Sequence, residues 1–408
     1  MRPTVTIPIR GRTVRPLASS SAPGEIVCIL TQTDGFGGTE IHTLGLIELL
    51  HRRGHRIELV ECGHLQYERA LAAGQFGDGV MARITPLSVK ADTQALRRWG
   101  VEFTRLRSRV LIFPMGAHDL ASVGFLRLCR RRFDRIFLIE HLEPPPVDSS
   151  RAGSFTFALS KWRRRWAEQA RAGCADRIIT VSTCIRDRLL SDFGHPRDKL
   201  VVIPNGVRAE DFRRDPAAGR AFRTGHKIPA EAFVFGMLTR LHPVKGIDLA
   251  LEALRHLPAS LRRSVRLLVA GEGPLRASLE RHAEELAVRD LVVFSGFVEA
   301  PLAALSASDI IVFSSRREGL PLGLLEAMAA GCVPIVTRVS GLPEVVDRPE
   351  VGWVVAPESP EELGRAMQKA LELDRATLLA MRRAAEGRIR RDFDLDRSQG
   401  RFLEVCGL

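Results

Sequence analysis

Two glutamates eight positions apart, Glu318 and Glu326, carry the strongest chemical signal in the sequence, within "SRREGLPLGLLEAMAAGCVPIVT" (315–337). A carboxylate accepts paired hydrogen bonds from the adjacent hydroxyls of a sugar or ribose. Glu318 falls in a loop after an apolar run, and Glu326 on a helix that begins near Pro321. Gly319 permits close approach to the backbone, and the N–H groups of Gly319, Leu320 and Leu322 lie where a helix start leaves donors free for anions or hydroxyls. The bare spacing also suits a capped, solvated helix; the strand, glycine and proline around it favour a site. A second group is Arg240 and Lys245 in "GMLTRLHPVKGID" (236–248). Two cations on one loop can clamp a diphosphate and balance charge on a leaving group. Lys245 is one of six lysines among sixty basic residues. The pair would equally fit a solvated loop. Gly37 and Gly38 can bring N–H groups against a phosphate or a reacting sugar, or simply form a tight turn; their spacing is not that of a dinucleotide fingerprint. His141, in "FLIEHLEPP", can hydrogen-bond a substrate from a strand end or serve as a structural imidazole. The turns "VAGEGP" (269–274) and "FSGFV" (294–298, with Phe297) can present groups to a nucleobase.

These residues need strand-end turns to hold them, and the sequence supplies them. Short apolar runs alternate with amphipathic stretches, the rhythm of βαβ units and mainly parallel sheets. "EIVCIL" reads as a first strand, and "TEIHTLGLIELLHRRG" as a helix with Thr39 as its N-cap and Gly54 just past its end. A second series starts near residue 231. The division expected is a flexible leader over 1–23, an acceptor-side domain over 24–205, a linker over 206–230, a donor-binding domain over 231–385, and a helix over 386–408 packing back toward the first domain. In such sheets ligands bind at the carboxyl ends of strands.

Composition bounds the rest. The 408 residues are 45% hydrophobic and 26% charged, which suits a globular two-domain chain. No uninterrupted apolar run reaches membrane-spanning length, and the basic start lacks the apolar stretch of a secretory signal. Seven cysteines without CxxC spacing suit free thiols in a reducing cytosol, and no metal site is expected. A net charge of +12 suits an anionic partner or a solvated arginine-rich surface. With 6% aromatics and no recognisable motif, nucleic acid is not expected as a partner. Two basic stretches stand out, "RLCRRRFDR" (127–135) and "KWRRRWAEQARAG" (161–173). The second sets Trp162 and Trp166 one helical turn apart. That suits docking on anionic lipid, or a helix that buries its tryptophans and solvates its arginines; the latter is the preferred reading.

Together "VVIPNGV", "R-x4-KG", "VAGEGP", "FSGFV", "REGLPLGLLEAMAAGCVPIVT" and "SGLPEVV", with "GFGGTEIHTLGLIELLHRRGH", His141 and "RIITVSTCIRDRLL" in the first half, resemble the retaining GT-B glycosyltransferases of family 4. The resemblance implies two Rossmann-like α/β domains facing an interdomain cleft, and transfer of a hexose-type sugar from a UDP- or GDP-sugar to a saccharide or lipid-linked acceptor, with no cofactor and no metal. It implies that Arg240 and Lys245 hold the diphosphate and that Glu318, with the Gly319 and Leu320 amides, contacts the donor sugar. Glu326 would bind the ribose, Gly37 and Gly38 face the diphosphate and acceptor, and His141 lie near the anomeric carbon. "GGTE" departs mildly from the family pattern and bears on acceptor preference. A cytoplasmic enzyme of polysaccharide, lipopolysaccharide or glycolipid synthesis, with peripheral contact at the inner membrane face left open, is the expectation. A non-hydrolysing nucleotide-sugar epimerase and a silent sugar-nucleotide-binding protein are the rival readings.

Overall fold

A computed structural model describes residues 24–32, 37–62, 67, 79–90, 92–115, 121–143 and 155–408. The leader over 1–23, most of the glycine turn over 34–38 and much of 63–78 lie outside these residues. Two units emerge, residues 1–204 with 399–408, and residues 205–398.

Unit 1 is a seven-stranded parallel sheet in the order β3-β2-β1-β4-β5-β6-β7. Its strands are β1 (Ile26–Thr31), β2 (Arg56–Cys62), β3 (Val80–Thr85), β4 (Val110–Met115), β5 (Arg135–Glu140), β6 (Arg177–Thr180) and β7 (Leu200–Val202). Helices α1 (Gly38–Arg52), α2 (Thr93–Thr104), α3 (Val123–Arg132), α4 (Phe155–Cys174) and α5 (Thr183–Ser191) connect them. The central strands are nearly continuous apolar runs because helices cover both faces of a parallel sheet. Trp99, Phe103, Phe125 and Phe133 pack edge to face beneath α2 and α3, with Trp99 and Phe125 centroids 5.0 Å apart. Ser122 and Ser182 cap α3 and α5 through their hydroxyls.

Unit 2 is a six-stranded parallel sheet in the order β10-β9-β8-β11-β12-β13. The strands are β8 (Phe233–Leu238), β9 (Val265–Ala270), β10 (Val292–Gly296), β11 (Ile310–Phe313), β12 (Val333–Thr337) and β13 (Trp353–Val355). Its helices are α6 (Pro216–Gly225), α7 (Ile247–Arg255), α8 (Arg276–Glu285), α9 (Pro301–Ala307), α10 (Leu322–Ala329), α11 (Pro360–Leu371) and α12 (Arg375–Asp392), besides short helical turns. This is the doubly wound order, in which the winding reverses between the first and fourth strands. Here that switch lies between β8 and β11.

The stretch 206–230, expected as a linker, is folded into unit 2. Its charges serve internal bonds: Arg214 donates to the carbonyls of Ser306 and Ser308 at 3.0 and 2.6 Å, and Arg223 to Ala307 O and to Asp309. Gly219 sits so close to α9 that an added Cβ would lie 2.6 Å from Ser306 O. The expected return of 386–408 to the first domain is also shorter than predicted. α12 belongs to unit 2, and the next helix, α13 (Leu395–Cys406), passes into unit 1 at Gln399. There Phe402, Leu403 and Cys406 join the core and Arg135 donates to Cys406 O at 2.8 Å. Among the described residues no helix is long and apolar enough to cross a membrane.

Candidate functional site

The loop after β8 and the loop after β11 meet at the switch point of unit 2. Lys245 closes a single 3-10 turn, Pro243–Lys245, whose start is capped by His242 Nδ1. Gly246 then adopts φ +59°, and a Cβ there would fall 2.0 Å from Ser314 O. Only glycine fits that left-handed, crowded position. Ser314 Oγ donates to Gly246 O at 2.6 Å, and Arg316 N to Val244 O at 2.8 Å, so the loops are joined backbone to backbone.

Across this junction Lys245 Nζ donates to Glu318 Oε1 at 2.6 Å. Glu318 is 3% exposed, and the same oxygen accepts the Ser315 hydroxyl at 2.7 Å. The Glu318 N–H goes to Ser340 Oγ at 3.0 Å. A buried carboxylate needs such partners because desolvation penalises its charge. The ammonium retains two further N–H donors for a ligand.

Arg240 is exposed on the same loop, and among the described residues no carboxylate pairs with it. The turn of Gly271 and Gly273 packs under it: Leu241 N donates to Glu272 O at 2.9 Å, and Cβ atoms on these glycines would lie 1.9 Å from Thr239 O and 2.4 Å from Leu241 O. The "VAGEGP" glycines thus hold the Arg240 loop by close approach. Gly319 and Leu320 use their carbonyls, for Gly341 N at 2.9 Å and for Asn205 Nδ2 at 2.7 Å. Among the described residues their N–H groups meet no carbonyl, and α10 starts without a side-chain cap. Glu326 lies half-buried on the second turn of α10. Phe297 is 56% exposed after β10, the outermost strand on its side of the sheet; the structure does not join it to Lys245 or Glu318.

Three supports were not anticipated. Arg316 grips Asp248 through both carboxylate oxygens, at 2.9 and 2.7 Å, reaches Glu358 at 2.7 Å, and donates to Pro243 O. Burial pushes the Asp248 carboxyl up, but the Arg316 bonds and charge outweigh it and hold it below the usual range. Asn205, buried at the start of unit 2, holds the Leu320 carbonyl, and among the described residues its own Oδ1 has no partner. The "RREG" and "PNGV" strings contain both residues, yet neither betrays a partner so distant in sequence. The third is His42.

In unit 1, His141 follows β5 and is buried, and among the described residues its Nε2 meets no hydrogen-bond partner. His42, on the second turn of α1, meets it edge to face with centroids 4.6 Å apart. Burial holds His141 well below the ordinary imidazole range, with His42 adding to the effect; burial likewise lowers His42 to about 4. Both are neutral hydrogen-bonding groups at pH 7. His42 is four residues after Gly38, so helical spacing was its available signal. Gly37, not Thr39, is the N-cap of α1, and its N–H, expected to face a phosphate, is taken by the Glu40 carboxylate at 2.7 Å. A Cβ on Gly38 would meet nothing within 4 Å, so packing does not demand glycine there.

Residues 36–211 match the family profile described as Glycosyltransferase Family 4, and residues 220–388 that described as Glycosyl transferases group 1. An uncharacterized glycosyltransferase of Methanocaldococcus jannaschii is 26% identical over 356 residues, covering 82% of this chain and 85% of that protein. The GDP-mannose-dependent alpha-(1-6)-phosphatidylinositol monomannoside mannosyltransferase of Mycobacterium tuberculosis is 34% identical over 219 residues, 50% of this chain and 55% of its own length, so about half of it is spanned. The structure of Anabaena Alr3699/HepE in complex with UDP and glucose superposes with TM-score 0.74 at 17% identity, covering 94% of this chain and 99% of that one. WaaG, a glycosyltransferase involved in lipopolysaccharide biosynthesis, gives 0.71 at 18%, covering 93% and 99%. Both share the GT-B fold of two parallel-sheet domains. With both units matched in turn along the chain, it belongs to the group 1, family 4 glycosyltransferases.

Proposed function

We propose that this glycosyltransferase moves a hexose-type sugar from a uridine or guanosine diphosphate sugar to a hydroxyl of a saccharide or lipid-linked acceptor, with retention at the anomeric carbon and without a metal. The observation that carries this reading is the Lys245–Glu318 pair, fixed at the switch point of unit 2 with the exposed Arg240 on the same loop. We assign the donor to unit 2 and the acceptor to unit 1. Lys245 keeps Glu318 compensated while its remaining N–H groups, with Arg240, take the diphosphate. Glu318 and the Gly319 and Leu320 amides hold the donor sugar, and Glu326 the ribose. The C1–O bond to phosphate breaks as the acceptor oxygen bonds C1 from the same face, and the acceptor proton passes to the leaving phosphate. The cations stabilise the charge that develops there. Neutral His141 donates or accepts one hydrogen bond to a substrate hydroxyl. An envelope polysaccharide, lipopolysaccharide or glycolipid product, made on the cytoplasmic side, suits relatives whose names specify such roles.

A thermal-shift screen of UDP-, GDP- and ADP-sugars tests the donor assignment, because a ligand of the native state raises Tm. Nucleotide release is then measured with and without acceptors. Acceptor-dependent release is expected. Acceptor-independent epimerisation, or binding without release, would overturn transfer in favour of an epimerase or a silent binding protein.

A further inference from the structure

Trp162 and Trp166 do not lie in the core: they are 63% and 54% exposed, whereas Trp99 is wholly buried. The preferred expectation of buried tryptophans under solvated arginines is therefore reversed. α4 attaches to unit 1 through its other side. Glu168 and Ala172 are buried, Arg171 donates to Ala121 O at 2.8 Å, and the Arg164 guanidinium lies 5.0 Å over the Phe193 ring. With 3.6 residues per turn these four positions share one side of the helix, and Trp162 and Trp166 fall opposite, flanked by exposed Arg163 and Arg165.

Two exposed indoles on one helix face are costly in water, because such rings gain by leaving it. Their surroundings specify the occupant. From Phe155 to Ala167 the sequence contains no carboxylate, and Glu168 is turned inward onto Arg171. Among the described residues no carboxylate pairs with Arg163 or Arg165. The other basic stretch behaves differently. Arg130 is spent on Asp176, Arg132 on the carbonyls of Phe103, Ser108 and Leu106, and Arg135 on Glu25 and Cys406 O. Arg130, Arg132 and Arg135 thus build the fold, whereas Arg163 and Arg165 stay exposed beside the tryptophans, Arg165 with its guanidinium also resting against Gly194. Indole rings between cationic side chains match the headgroup zone of an anionic bilayer, where the rings sit among headgroups and the guanidinium groups meet phosphates.

We propose that the outward face of α4 is a docking surface for an anionic lipid bilayer, with Trp162 and Trp166 inserting at headgroup depth and Arg163 and Arg165 contacting lipid phosphates. This goes beyond the transfer reaction and does not depend on it. The full chain is floated with vesicles of phosphatidylcholine alone and with phosphatidylglycerol added, at ~0.05 and ~0.5 M salt. Binding is expected to anionic vesicles only, to weaken with salt, and to carry a blue shift of indole fluorescence. W162S/W166S is expected to weaken partitioning at least tenfold, and R163Q/R165Q by about fivefold per arginine, with Tm unchanged in both. Equal partitioning to neutral and anionic vesicles, or undiminished binding by W162S/W166S, would overturn the proposal. So would a concentration-dependent dimer abolished by the same substitutions, which would assign this face to a second copy of the chain.

Discussion

Glu318 is the residue on which stability and chemistry compete. Its carboxylate is buried, and Lys245 supplies its counter-charge. Lys245→Ala would therefore do two things: remove a cation from the proposed diphosphate site, lowering kcat by about 10²–10³, and leave a buried charge with only the Ser315 hydroxyl. The second effect should cost about 2 kcal/mol of stability, less than for a wholly buried pair because the Lys245 side chain is one-fifth exposed. Adding Glu318→Gln should recover part of that stability and none of the activity, which a double-mutant cycle by denaturant melt and nucleotide-release assay would read. The sequence sets both residues in strand-end loops, and the structure puts them there, after β8 and β11. Their direct bond was not evident from sequence, because 73 residues separate them. His42 shows another limit. An imidazole held at about 4 in the fold but near 6.5 when unfolded binds fewer protons folded than unfolded between those values. Stability from this group is thus full above about pH 6.5 and is lost as pH falls toward 4. His42→Phe should flatten the stability profile in that window by roughly one proton's worth of slope, measured by urea unfolding across pH.

At the scale of elements, glycines divide into those the packing requires and those it does not. Gly246→Ala would drive a Cβ into the Ser314 carbonyl at a left-handed position. A loss of ~2–4 kcal/mol and a loosened Lys245–Glu318 junction are expected, seen as a lower Tm and a weaker thermal shift with the donor sugar. Gly38→Ala should leave Tm unchanged or slightly raised, since the position is open and helical. If the opening serves substrate, KM rises while the fold stays intact. The strands of both units were legible because parallel sheets covered on both faces impose continuous apolar runs. The α6 region was not. Its polar composition resembles a linker, yet Arg214 and Arg223 are consumed by carbonyls at the end of α9 and beside it, a use that composition cannot reveal.

For the molecule as a whole, the division near residue 205 was visible as a change from apolar strands to a charged stretch. The far end was not, because α13 reads as a single amphipathic helix whichever unit receives its apolar face. Its last turns complete the core of unit 1 with Phe402, Leu403 and Cys406. Truncation after Ser398 should therefore destabilise unit 1 while leaving unit 2 folded. Two thermal transitions would replace one, with hydrogen exchange accelerated in β5 and β7 and preserved in β8 and β11.

The split ownership of the chain also orders events during synthesis. Unit 2 is one uninterrupted length of polypeptide, 205–398, whereas unit 1 must await residues 399–408, translated after all of unit 2. Domains often mature in the order they leave the ribosome. Here the half that begins first is the last to be sealed, and its apolar sheet must persist unsealed while the whole of the other half is made.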